Sequence, residues 1–162
     1  MGLACAAVAV GLTGFLSRSG AKIKGEIETL EHHGMGPSGK GFRSKALLFV
    51  RLVNTGGPSG LFLHAVTGKD KFGNDLKVER LFAPSVMAAG EAAFRSFEDL
   101  KTRALETGVS AVVPIGLLFD GSTLALDLSS LRVEFRDAWR GRFVIGPKQG
   151  LYVAVRGLTL GD

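Results

Sequence analysis

Between residues 46 and 67 the chain reads ALLFVRLVN, then TGGPSG, then LFLHAVT. Two apolar runs of strand length flank six residues made almost wholly of turn formers. Gly56, Gly57 and Gly60 permit positive φ, and Pro58 fixes φ while withholding a donor. This pattern predicts a β-hairpin with a longer loop. In the first run Leu48, Val50 and Leu52 share one side, with Leu47, Phe49, Arg51 and Val53 on the other. A strand apolar on both sides predicts a central position or a second layer over its outer face.

The same pattern recurs along the chain. AKIKGEIETLE places Ile23, Gly25, Ile27 and Thr29 opposite Lys22, Lys24, Glu26 and Glu28, as a half-exposed strand does. Residues 32–41, HHGMGPSGKG, read as a glycine-rich loop. LFLHAVT, DLKVERLF and SAVVPIGLLF read as further strands, the last broken or bulged at Pro114 and Gly116. LRVEFRD alternates, with Leu131, Val133 and Phe135 inward and Arg132, Glu134 and Arg136 outward, and AWRG turns it into RFVIG. PKQG and LYVAVRGLTL supply one more turn and one more strand. The period changes in one place: Ala93, Phe97, Leu100 and Ala104 fall at helical spacing, which predicts a short helix near 91–106. Seven to nine short strands with frequent turns make the chain mostly β, an antiparallel sandwich or barrel.

The first residues stand apart. Residues 2–16 carry no charge, and Arg18, Lys22 and Lys24 follow. As a helix they would reach about 22 Å, short of the roughly 30 Å hydrocarbon core of a bilayer. A signal-peptide apolar region, a short membrane anchor and a core element of the domain all fit, and an anchor or signal is preferred. No positive charge precedes the run, as a signal peptide would require. The flanking cations would hold the following domain on the cytoplasmic side, at odds with the extracytoplasmic setting such a domain suggests. The expected organisation is residues 1–20 as an anchor, signal-like or assembly segment, and residues 21–162 as the β-domain, membrane-associated or extracytoplasmic.

Composition narrows the classes. With 46% hydrophobic and 22% charged residues over 162 positions, the chain can bury a real core. The formal charge of +5 is scattered, without the clustered cations and aromatics of a nucleic-acid face, so no specific nucleic acid is expected. Cys5 is the only cysteine, so no internal disulfide forms.

LLFVRLVNTGGPSGLFLHAV and LRVEFRDAWRGRF together resemble a group of uncharacterised prokaryotic proteins that pair an N-terminal apolar anchor with an immunoglobulin-like sandwich. The valine-rich run ending in asparagine is also similar to the late-embryogenesis-abundant type 2 domain. The resemblance implies an immunoglobulin-like β-sandwich and carries no catalytic residues.

Candidate chemistry is sparse. GMGPSGKG approaches the phosphate loop, but Gly41 stands where a hydroxyl must hold magnesium and a strand follows where a helix is needed. His32 and His33 are adjacent and point to opposite faces of an extended chain, so they chelate poorly together; a metal site would need Glu31 or Asp70 brought in by the fold. His64 reads as a half-buried strand residue. No G-x-S-x-G elbow occurs. No enzyme, cofactor or metal is expected. Trp139, in a turn flanked by Arg136, Arg140 and Arg142, is the binding candidate: it either anchors a partner surface or sugar ring, or folds back under the arginine stems. The expected function is a non-enzymatic envelope or surface module acting through a protein partner or self-assembly, with membrane contact through residues 2–16. A small-ligand or polysaccharide-binding domain is the alternative.

Overall fold

Alternating apolar positions bury one face of a strand, and two such faces must meet to leave water. The computed structural model describes residues 20–39, 41–84 and 94–155. Its strands are β1 (Ile23–Ser38), β2 (Gly41–Asn54), β3 (Leu61–Asp70), β4 (Val78–Phe82), β5 (Ser110–Asp120), β6 (Leu126–Asp137), β7 (Arg142–Ile145) and β8 (Val153–Val155). A four-residue helix, α1 (Asp99–Thr102), precedes β5, and a 3-10 turn (Thr123–Ala125) precedes β6. They form one sheet in the order β4-β5-β2-β1-β8 and a second in the order β3-β6-β7. All pairs are antiparallel except β1 with β8, which run parallel.

The core is one contiguous cluster between the sheets. β2 contributes Leu48, Val50 and Leu52, β5 contributes Val113, Ile115 and Leu117, and β6 contributes Leu131, Val133 and Phe135. Each such side chain contributes roughly 1.5–3 kcal/mol by leaving water. β2 is central, as its two apolar faces predict, and its outer face is covered as well: Phe94 packs edge-on against Phe49 at 6.0 Å.

Several expectations are corrected. Residues 32–38 are strand, not loop, because β1 stays paired with β2 as far as Ser38 opposite Gly41. The alternation in β1 slips between Ile27 and Thr29, so Leu30 is buried where Thr29 was expected inward. β5 is unbroken: Pro114 lies between the end of β4 and the Phe94–Val112 bridge, where no ladder donor is needed. Gly116 leaves the space that the Phe82 ring fills. Among the described residues the helix forms over Asp99–Thr102. Arg95 donates its backbone N–H to Val112 and Leu105 donates to Ser59, so both flanks are tied to strands instead of continuing a helix. Residues 91–93 of that expected helix, and the apolar run of residues 2–16, lie outside the described residues.

Candidate functional site

The β6–β7 connection spans residues 137–141, DAWRG. Asp137 is buried, and its Oδ1 accepts the backbone N–H groups of Trp139 (2.9 Å) and Gly141 (2.6 Å). Its own N–H donates to the Gly141 carbonyl at 3.1 Å. This ties the turn tightly and throws Arg140 into the left-handed region, φ 66°. A side chain at position 141 would meet the Asp137 carboxylate at 2.8 Å, so the turn requires glycine there. The consequence lies at the tip: Trp139 is 70% exposed.

Register then assembles the charges. β6 and β7 pair Arg136 with Arg142 and Glu134 with Val144, and alternation puts Glu134 and Arg136 on the outer face. Arg136 Nε donates to Glu134 Oε1 at 2.8 Å, and Arg142 Nε donates to Glu134 Oε2 at 2.9 Å. The hydrogen bond from Arg136, then that from Arg142, holds the Glu134 carboxyl below its ordinary pKa against some desolvation. His64 Nε2 lies 3.9 Å from the same carboxylate. Both arginines thus face Glu134 through Nε, and their side chains stay 41% and 65% exposed. Beside them is an open depression of about 630 Å³ lined by Phe62, Arg136, Asp137, Ala138, Arg140 and Arg142.

So the fold brings Arg136, Arg140 and Arg142 to one depression, while Trp139 stands at the tip of the same turn without lining it. Among the described residues a cation lies over an aromatic ring at Lys45 and Phe82, 5.4 Å apart. Sequence reasoning missed Glu134 as the residue that orients two of the arginines. Its i, i+2 spacing from Arg136 was readable; the approach of Arg142 follows only from the hairpin register.

A second cluster carries no local sequence signal. Phe42 at the start of β2, Phe72 (84% exposed) in the β3–β4 turn and Leu124 in the 3-10 turn project at the opposite end of the sandwich. The Gly121 N–H donates to the Phe42 carbonyl at 2.7 Å, and the Lys71 N–H to the Ala125 carbonyl at 2.8 Å, so these tips are laced together.

The histidines disperse. His32 Nδ1 is 3.0 Å from Thr123 Oγ1, and His33 Nε2 is 2.9 Å from Glu31 Oε2. No group of three metal-ligating side chains occurs among the described residues, and none of their helices is long and apolar enough to cross a membrane. Residues 34–38 of the GMGPSGKG stretch belong to β1, and Gly41 opens β2. Compared with family models, curated proteins and solved structures, the chain matches none.

Proposed function

We propose that this chain is a non-enzymatic interaction module, an immunoglobulin-like β-sandwich held at a membrane and acting through protein contact or self-assembly. The eight strands in two facing sheets support the immunoglobulin-like reading. The observation that carries the function is the trio of Phe42, Phe72 and Leu124, large apolar side chains exposed at the start of β2 and on two connections laced to one another by the backbone, instead of being folded into the core. Exposed apolar side chains grouped in this way mark contact surfaces. The uncharged run of residues 2–16, followed by Arg18, Lys22 and Lys24, supports the membrane setting.

Sedimentation equilibrium of the full chain, in detergent, tests the contact surface. Association that strengthens with concentration and is lost in a Phe72→Ser, Leu124→Ser variant is the expected outcome. A monomer at every concentration removes self-assembly from the proposal. A small-ligand or polysaccharide site draws support from the arginine-lined depression, but Trp139 does not line it, so ring stacking and charge are not combined in one place. Binding on an acidic-glycan array that Arg140→Gln abolishes would favour that second reading.

A further inference from the structure

The two ends of the sandwich differ in where the chain enters. Gly20, the first described residue, accepts the Gly57 N–H at 3.2 Å, and Thr55 donates its N–H to the Lys22 carbonyl at 2.8 Å. The entry point therefore lies beside the β2–β3 connection. β3 opens at Leu61, whose partner is Asp137, the residue that starts the Trp139 turn. Entry point and turn share one end, on facing sheets.

From this we infer that the Gly20 end faces the bilayer, with the turn of residues 137–141 docked on anionic lipid: Trp139 at headgroup depth, Arg136, Arg140 and Arg142 on lipid phosphates. The inference rests on the proposed lodging of residues 2–16 in a membrane.

Chain length makes the approach close. Four Cα steps separate Leu16, the last residue of the apolar run, from Gly20, and fully extended they span at most about 14 Å. The headgroup layer on each side of a bilayer is about 5–8 Å thick by difference of total and hydrocarbon thickness. An apolar run reaching the edge of the hydrocarbon thus brings this end into, or directly beside, the headgroups. What it presents there suits that layer. Indole is amphipathic and favours the interface, and guanidinium forks pair with phosphate oxygens. Glu134 binds Arg136 and Arg142 through Nε, and the two side chains are still 41% and 65% exposed, open to a second anion. Tethering raises the local concentration of lipid, so weak individual contacts suffice. Phe42, Phe72 and Leu124 then point away from the bilayer, toward protein.

The chain has one tryptophan, so its emission reads Trp139 alone. The full chain is reconstituted into phosphatidylcholine vesicles with and without phosphatidylglycerol, and flotation, emission maximum and acrylamide quenching are measured. Expected are flotation with both vesicles, and a blue shift with several-fold weaker quenching in the anionic ones. Arg140→Gln, a side chain outside the turn's hydrogen bonds, should still float and should lose much of the shift. Flotation with Trp139 as open to acrylamide as in detergent overturns the docked orientation while leaving the anchor intact. Failure to float overturns the anchor, and the orientation falls with it. Equal shielding by inorganic phosphate without anionic lipid would mark a free-anion site and also overturns the lipid-facing reading.

Discussion

Two connections at opposite ends of the sandwich are held by opposite means. At the entry end the connections are pinned from inside. Asn54 is fully buried and uses its whole amide: Oδ1 accepts the N–H groups of Lys22 (3.2 Å) and Gly56 (2.9 Å), and Nδ2 donates to the carbonyls of Gly57 (2.8 Å) and Leu105 (2.7 Å). One side chain thereby joins the lead into β1, the β2–β3 connection and the segment before β5. Buried Asp137 does the same for the Trp139 turn. At the far end the β3–β4 turn is held from outside. Asp70, at the surface and partly exposed, accepts from the backbone N–H groups of Phe72 and Asn74 and from Asn74 Nδ2, at 2.8–2.9 Å. An interior acceptor cannot be replaced by water, whereas an exposed one can. The β2–β3 connection and the Trp139 turn should therefore be rigid and intolerant of substitution, and the β3–β4 turn tolerant.

Asn54→Ala breaks this contrast at its strongest point. It strands two buried carbonyls and two N–H groups, and should lower stability by about 3–4 kcal/mol. Urea denaturation of the full chain, in a detergent compatible with its apolar run, measures the shift in midpoint. A loss below 1 kcal/mol would mean that water enters the site. Gly141→Ala comes next. Its methyl group drives the Asp137 carboxylate from two N–H donors, and about 1–2 kcal/mol should be lost. The same substitution should widen the spread of Trp139 environments, seen as heterogeneous fluorescence lifetimes.

The core was more legible than the pins. Leu131, Val133 and Phe135 announce themselves because a period of two survives wherever a strand is straight and buried on one side. The pattern fails where the strand is not straight. In β6, residues 128–131 bulge opposite the single residue Gly68, and in β1 the slip near Glu28 exchanges Thr29 for Leu30. Parallel pairing of β8 with β1 is a choice of partner, which local periodicity does not encode. The motif ending at Asn54 was visible, but its role depends on three segments distant in sequence. The arginine site was half legible, because turn residues mark the hairpin and the hairpin register then sets Arg142 beside Arg136.

The smallest effect lies at Asp70, and it sharpens the comparison by its sign. Hydrogen bonds, first from the Asn74 side chain and then from the turn's backbone, hold its carboxyl below the usual value of 3.8. A carboxyl depressed in the folded state adds stability that is complete above the unfolded pKa and is lost as pH falls through the folded one. Between neutrality and about pH 5 the turn should be insensitive to acid; below pH 4 its contribution should drain away. Asp70→Asn keeps an acceptor oxygen and removes the titration. Urea midpoints followed from pH 7 to pH 2 should then converge for the two proteins at the acid end and differ slightly, in favour of aspartate, at neutral pH. Because Asp70 is solvated, its partners can turn to water, so the difference should be far smaller than that of Asn54→Ala. A comparable loss would show that the β3–β4 turn is pinned as firmly as the β2–β3 connection, and the contrast between them would disappear.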